Sequence, residues 1–281
     1  MNKNICKLVK NAALIFVLSL STQTFAQQSN LLSSQEQIAE SVKLAPCKSE
    51  NRLAAVKQLF EKMGAKNEDI TIEKFDKDKI ANLVVKIKGK SEETIIVGAH
   101  YDKTKEGCGA IDNWTGISII AHLYRTINRI QPEKSYLFVA FDQEEIGLLG
   151  SDAMAKAIPK EKRPQFCSMV NLDSFGFSAP QALENTSSSE LVSIAKKLAK
   201  ESDFPFTTGS ILNADADSSS FRKRGIPAIT FTALDKNWQK YLHSDGDKLE
   251  KINFNSVYLG YRFALAFLAK LDEISCAEIK K

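Results

Sequence analysis

Residues 94–102 read TIIVGAHYD, a short apolar run that ends in a histidine and an aspartate. Residues 109–113, GAIDN, follow closely and place Asp112 about a dozen positions after His100. A short apolar run of this kind predicts a buried strand, and the glycines around it predict that the chain turns there. Because histidine and carboxylate side chains are ligands that suit zinc, this pair predicts one half of a metal site.

Five further apolar runs predict strands, and amphipathic runs between several of them predict helices. The predicted strands are 70–75, 82–88, 94–99, 135–141, 167–172 and 226–232, and the predicted helices are 49–63, 113–130, 189–201 and 254–272. Strands after residue 90 are short, apolar and separated by helices, which is typical of a parallel sheet covered on both faces. The sequence therefore predicts an α/β three-layer sandwich with a mixed, mainly parallel central sheet, whose first strands pair antiparallel at one edge.

Other candidate ligands also follow predicted strands. Glu144 and Glu145 come just after the fourth strand, and Asp173 comes directly after the fifth. His243 lies in the loop beyond the last strand. The carboxyl ends of the strands in an open α/β sheet form the rim that binds ligands. We therefore expect these side chains to meet His100 and Asp112 there.

The charge of the candidate ligands favours two zinc ions over one. Asp112, Glu145 and Asp173 supply three negative charges, which two Zn²⁺ and a bridging hydroxide would neutralise and a single Zn²⁺ would not. Paired zinc ions about 3.5–4 Å apart lower the pKa of the water between them and polarise a carbonyl oxygen. The pattern thus indicates a site that could activate water against a carbonyl group.

Two more acidic side chains fit supporting roles at this site. Glu144 is free to act as general base, taking a proton from that water and passing it to a leaving amine. Asp102 stands two residues beyond His100, where it can accept the other ring N–H and fix the tautomer. Taken singly, an acidic pair is commonly solvated surface and an Asp-Asn before a helix is commonly an N-cap. Their joint placement at strand ends favours the metal site.

The first 26 residues have the pattern of an export signal. Three lysines precede the apolar stretch Ala12–Leu20, and Thr24 and Ala26 suit the two recognition positions of signal peptidase, so cleavage is expected before Gln27. The stretch is too short to span a bilayer comfortably, so no stable membrane anchor is expected. Residues 1–26 hold three of the 38 basic residues and none of the 34 acidic ones. The rest of the chain is nearly neutral, and nucleic acid is not expected as a partner.

The remaining chain has the length of one α/β domain. We expect an N-terminal extension over residues 27–48, a single catalytic domain over 49–281, and a monomer. An even number of cysteines in an oxidising compartment indicates disulfides, and three full pairings are open. The four cysteines after residue 26 are Cys47, Cys108, Cys167 and Cys276. We favour pairing the first two, whereas the third could equally be a buried thiol at the start of a strand.

These motifs resemble metallopeptidase family 28, the secreted di-zinc aminopeptidases, over roughly residues 80–270. The resemblance rests on GAHYD (98–102), GAIDNWTG (109–116), FDQEEIGLLGS (141–151), NLD (171–173) and LHSDGD (242–247). It implies a zinc-exopeptidase fold, two Zn²⁺ per chain and peptide substrates. The ligands it implies are His100, Asp112, Glu145, Asp173 and His243. By the same resemblance, Asp112 bridges both ions and Glu144 is the general base.

One segment departs from the family pattern. Residues 215–221, DADSSSF, stand where the family often carries Ser-Asp-His before a phenylalanine, and they contain no histidine. The departure concerns the substrate pocket and leaves the ligands intact. An exported aminopeptidase, in which the free α-amine of the substrate helps to anchor it, is the function that the resemblance implies. The alternatives are a glutaminyl cyclase with one zinc, a carboxypeptidase, or a non-catalytic binding ectodomain that has lost its ligands.

Overall fold

The computed structural model describes residues 31–280. The helices are α1 (Gln35–Val42), α2 (Arg52–Lys62), α3 (Thr115–Ile127), α4 (Leu149–Ala157), α5 (Ser189–Ser202), α6 (Asp217–Arg222), α7 (Phe254–Glu273) and α8 (Cys276–Ile279). The strands are β1 (Ile70–Phe75), β2 (Ile80–Ile87), β3 (Thr94–His100), β4 (Ser135–Phe141), β5 (Phe166–Leu172), β6 (Gln181–Leu183), β7 (Thr207–Gly209) and β8 (Ala228–Thr232). The predicted leader and its cleavage before Gln27 lie outside the described residues.

Within residues 31–280 the strands form one mixed sheet in the order β1-β2-β4-β3-β5-β8-β6-β7. The central strands β4, β3, β5 and β8 are parallel neighbours. At one edge β2 pairs antiparallel with β4 and with β1, and at the other β6 pairs antiparallel with β8 and parallel with β7. The prediction of a mixed, mainly parallel sheet with antiparallel first strands is confirmed.

Side-chain alternation along β3 divides the core into two layers. Ile95, Val97 and Ala99 belong to the larger cluster, which includes residues of α1, α2, α3, α5 and α7. Ile96 belongs to the cluster on the other face, with residues of α4 and α6. Because β3 is covered on both faces, nearly all of its side chains are apolar, which is why its sequence reads as a continuous run.

Several elements were not predicted from the sequence. Helix α1 falls in the expected N-terminal extension, where Ser34 and Gln37 form a capping box and Ile38 and Val42 are buried in the main core. Strands β6 and β7 have three residues each. Helix α2 begins three residues after the predicted start, behind a short 3₁₀ turn. Short elements carry too few positions for a periodic pattern to stand out.

Two disulfides join distant parts of the chain. Cys47 pairs with Cys108, as we favoured, and Cys167 pairs with Cys276. The alternative of a free buried thiol at Cys167 was therefore wrong. Over the part of the chain that the structure describes, no helix is both long enough and apolar enough to cross a bilayer.

Candidate metal centre

The centre begins with His100 and Asp112, which lie at the carboxyl end of β3 and in the turn before α3. The Nε2 atom of His100 lies 3.1 Å from Oδ1 of Asp112. Both side chains are almost completely buried. The backbone at Asp112 is not helical (φ −110°, ψ 93°), and its peptide bond to Asn113 is cis. The turn thus delivers the Asp112 carboxylate to the end of β3 before the helix starts.

His243 reaches the other oxygen of the same carboxylate. Its Nε2 atom lies 3.1 Å from Oδ2 of Asp112 and 3.1 Å from Oε2 of Glu145. The His243 side chain is 59% exposed, whereas the two carboxylates it contacts are nearly buried. The two oxygens of Asp112 therefore face two different histidines.

Asp173 and Glu144 lie on the His100 side of the centre. Oδ1 of Asp173 is 3.8 Å from Nε2 of His100. One ligand atom from each of His100, Glu144 and Asp173 falls within 4.8 Å of the others, and the same holds for His100, Asp112 and Glu145. The neighbours Glu144 and Glu145 thus face different groups of side chains.

Asp102 links the ligand from β3 to the acidic pair. Its Oδ1 atom lies 3.3 Å from Nδ1 of His100. Its two carboxylate oxygens also accept hydrogen bonds from the backbone N–H groups of Glu144 (3.0 Å) and Glu145 (3.1 Å). These two hydrogen bonds hold the loop after β4 against the end of β3.

Asn113 joins the turn of Asp112 to the strand that precedes Asp173. Its side-chain amide donates to the carbonyl of Leu172 (2.9 Å) and accepts from the backbone N–H of Ser174 (3.1 Å). Both bonds are buried. They fix the backbone on either side of Asp173 relative to Asp112.

Several side chains of the centre have shifted pKa values. Burial raises the pKa of Glu144 well above its usual range, opposed by His100 and reinforced by Asp217 and Asp173. Hydrogen bonds to Asp112 and Glu145 raise the pKa of His243 to about 10. Burial raises the pKa of Asp217 to about 7, and neither carboxylate oxygen of Asp217 has a hydrogen-bond partner among the described residues. Burial and the neighbouring carboxylates thus disfavour the ionised forms of Glu144 and Asp217.

The donor set fits divalent zinc. Imidazole nitrogens and carboxylate oxygens converge within a few ångströms, and these are the ligand types zinc binds. A divalent cation would also offset the repulsion among the buried carboxylates. The side chains that could hold metal are those named from the sequence: His100, Asp112, Glu145, Asp173 and His243.

A pocket of about 370 Å³ opens onto the centre. Its lining includes His100, Glu144 and Asp173 together with a set of apolar side chains, which we call the apolar wall. The wall comprises Leu183, Ile211, Leu234, Trp238 and Leu242. Glu184, Ser187–Ser189 and Arg222 line a separate cavity of about 690 Å³, whose lining contains none of the candidate ligands.

Trp238 lines this pocket, whereas Phe204, Phe206 and Tyr241 do not. Phe206 stacks on Phe263, and Phe204 packs against the same ring. Tyr241 stacks on Phe177. Periodicity does not distinguish an aromatic residue that packs in the core from one that faces a pocket.

Residues 82–267 match the model of Peptidase family M28. The chain belongs to this family. This M28 chain is 30% identical over 243 residues to a probable leucine aminopeptidase of Arthroderma otae, an alignment that covers 78% of the chain. It spans 64% of the length of that relative. Membership confirms the family resemblance found in the sequence and makes the chain a member of a peptidase family.

Solved structures share the fold at lower identity. A zinc aminopeptidase from Bacillus subtilis superposes with a TM-score of 0.63 at 21% identity, covering 70% of this chain and 52% of the other. A glutaminyl cyclase from Bacteroides thetaiotaomicron superposes with a TM-score of 0.66 at 18% identity, covering 85% of this chain and 98% of the other. Since proteins of both names share the architecture, the fold alone does not choose between their reactions.

Proposed function

We propose that this M28 chain is an exported, zinc-dependent aminopeptidase that removes residues from the N-terminus of peptides. The arrangement of Asp112 carries the proposal, since its two oxygens each lie 3.1 Å from Nε2 of a different histidine, His100 and His243. A carboxylate placed between two imidazoles in this way can serve two ions at once. The similarity to the probable leucine aminopeptidase and the cluster of histidine and carboxylate side chains support the same conclusion.

Two groups of side chains would hold the ions. His100, Asp112 and Asp173 would hold one, and Asp112, Glu145 and His243 would hold the other. When bound, paired zinc ions polarise a carbonyl group and lower the pKa of water. Both groups line the same pocket, so a peptide bond placed there would meet both.

Glu144 would move the proton during hydrolysis. As general base its carboxylate takes a proton from the attacking water while the water oxygen bonds to the carbonyl carbon of the substrate. It then gives that proton to the amine nitrogen as the C–N bond breaks. Asp102 would support this step, because it binds the backbone N–H of Glu144 and lies against the ring of His100.

The pocket supports an apolar residue at the N-terminus of the substrate. The pocket lining combines the candidate ligands with the apolar wall, and side chains of this type favour burial of an aliphatic or aromatic group. The relative from Arthroderma otae is named for leucine. We therefore propose that peptides beginning with leucine, methionine or phenylalanine are better substrates than those beginning with aspartate or glutamate.

The disulfides support export. Cys47–Cys108 and Cys167–Cys276 would persist in an oxidising compartment, and such bonds are rare in reducing cytosol. The export pattern of residues 1–26 agrees with this, although it lies outside the described residues. We propose that the protein acts beyond the cytoplasm.

A substrate profile tests the proposed reaction. Zinc-loaded enzyme is given peptides with free N-termini, the same peptides N-acetylated, and peptides that begin with glutamine. We expect stepwise release of N-terminal residues from the free peptides, none from the acetylated ones, and loss of activity after chelation that zinc restores. Cyclisation of glutamine without hydrolysis would instead identify a cyclase, and release from the other end would identify a carboxypeptidase.

A further inference from the structure

The loop that carries Asp112 lies between two buried, oppositely charged side chains. We call residues 101–112 the ligand loop, since it runs from the end of β3 to Asp112. Arg52 approaches it from the first turn of α2 and is 0% exposed. Asp247 approaches it from the segment that follows His243 and is 3% exposed. Buried charges are rare unless they are compensated, so each needs a physical reason.

Arg52 binds the carbonyl groups of the loop. Its Nε–H donates to the carbonyl of Tyr101, and its two terminal nitrogens donate to the carbonyls of Cys108 and Gly109, each at 3.1 Å. A further N–H donates to the carbonyl of Pro46 at 2.9 Å. These partners are all backbone carbonyl groups. The rigid guanidinium fork thus joins both ends of the loop, which a single ammonium group cannot do.

Two further features hold Arg52 in place. Its guanidinium lies over the ring of Trp114 at 5.2 Å from the centroid. Gly109 adopts φ +64°, and a Cβ atom there would lie 3.0 Å from Nη1 of Arg52 and 2.7 Å from Cβ of Lys103. The loop therefore approaches the guanidinium more closely than a residue with a side chain would allow.

Asp247 binds the N–H groups of the same loop. Its Oδ1 accepts from the N–H of Ile111 at 2.6 Å, and its Oδ2 accepts from the N–H of Asp112 at 3.3 Å. Its backbone carbonyl accepts from the N–H of Cys108 at 2.8 Å. Because Asp247 stands four residues after His243, it connects the backbone of one candidate ligand to the segment that presents another.

We propose that Arg52 and Asp247 are positioning residues that hold the ligand loop in its metal-binding conformation, one through the carbonyls of the loop and the other through its N–H groups. The proposal rests on the zinc site proposed above. Backbone groups buried in an irregular loop need partners, and bonds to charged groups are the stronger ones. Arg52 lies outside the span of the family match, residues 82–267. The hydrogen bonds to the carbonyls of the ligand loop therefore come from the N-terminal part of the chain.

Asp247→Asn tests the proposal, because the substitution keeps the shape but turns one acceptor into a donor that faces a backbone N–H. Zinc affinity is measured by competition with a chromophoric chelator, and thermal unfolding is measured on metal-free protein. We expect zinc affinity to fall roughly 10- to 100-fold, the usual cost of losing a group that orients metal ligands.

Asp272→Asn is the matched control. Asp272 is also buried and accepts from two consecutive N–H groups, those of Glu133 and Lys134, at 2.9 Å each. It lies at the end of α7, and its contacts include none of the candidate ligands. We expect Asp272→Asn to lower thermal stability but to leave zinc affinity unchanged.

The outcomes separate this proposal from the proposed function. Equal zinc affinity in the two aspartate variants would overturn the role of Asp247, and wild-type affinity in Arg52→Lys would overturn that of Arg52. If Asp247→Asn does not fold, Asp247→Glu, which keeps the charge but displaces the carboxylate, tests Asp247 by the same comparison, and Arg52→Lys, which keeps the charge but loses the planar guanidinium, tests Arg52. A wild-type protein that binds no zinc would instead overturn the metal site itself.

Discussion

Glu144 and Glu145 are adjacent in sequence but face different sides of the candidate metal centre. Oε2 of Glu145 lies 3.1 Å from Nε2 of His243. Glu144 groups with His100 and Asp173, whereas Glu145 groups with His100 and Asp112. The backbone N–H groups of both glutamates are held by the carboxylate of Asp102. A surface acidic pair would have no such asymmetry, so substitutions at the two positions should differ.

Glu144→Gln should retain zinc and near-native stability but lose most turnover, because an amide cannot accept the proton of the attacking water. Loss of a positioned general base costs about 10²- to 10⁴-fold in rate, with little change in KM if substrate is held by the metal and pocket. Glu145→Gln should weaken zinc binding itself. The measurement is kcat and zinc content for both variants side by side.

Two results would contradict these roles. Glu144→Gln with activity within a fewfold of wild type would remove Glu144 as the base. Equal loss of zinc from both variants would show that the two carboxylates are equivalent.

Single residues differ in how far the sequence predicts them. His100 and Asp173 stand at strand ends, where the rim of an α/β sheet is expected, and the structure places them in one pocket. Arg52 lies in an amphipathic helix, and arginine is usually exposed, so nothing local predicts its burial. Asp247 ends the LHSDGD motif, but its partners are the N–H groups of a loop more than 130 residues earlier.

At the scale of elements, helix α1 is tied to the core by polar as well as apolar contacts. His122 of α3 lies between two serines, with Nε2 2.9 Å from Oγ of Ser41 and Nδ1 2.7 Å from Oγ of Ser33. The indole N–H of Trp114 donates to the carbonyl of Ser41 at 3.0 Å. Since Trp114 comes two residues after Asp112, α1 supports the turn from which α3 starts. The sequence did not predict this helix, because eight residues with few apolar positions are too short to show a clear helical periodicity.

His122 should make stability pH-dependent. Burial, reinforced by the charge of Arg125, lowers its pKa from 6.5 to about 4. Between these values the unfolded chain binds the proton and the folded chain does not, so the contribution to stability is complete above pH 6.5 and is lost as the pH falls. The loss reaches roughly 3 kcal/mol by pH 4, at about 1.4 kcal/mol per unit.

Urea unfolding of metal-free protein at neutral pH and near pH 4.5 measures this effect. His122→Gln should be less stable than wild type at neutral pH, because its contacts to the two serines are altered. The gap should close or reverse near pH 4.5, because glutamine does not titrate. Parallel loss of stability in both proteins would show that His122 contributes nothing to the pH dependence.

At the scale of the whole molecule, the sheet brings together candidate ligands that are far apart in the sequence. Segments that follow β3, β4, β5 and β8 all lead to one rim, and the strand order makes β4, β3, β5 and β8 neighbours. The shared rim follows from the sequence, because parallel strands joined by helices place their carboxyl ends together. The order of the strands within the sheet was not predicted. The pairing of Cys47 with Cys108 was favoured from the sequence, whereas the partner of Cys167 was left open. That partner depends on where residue 276 lies in the folded chain.

The zinc content of wild type and of Asp112→Ala tests the central claim most directly, because Asp112 is proposed to serve both ions. Metal analysis against protein concentration should give two zinc ions per wild-type chain. The variant should lose occupancy at both positions, while Asp173→Ala should lose mainly the ion held with His100. One tightly held zinc per wild-type chain, or full occupancy in Asp112→Ala, would contradict the paired centre.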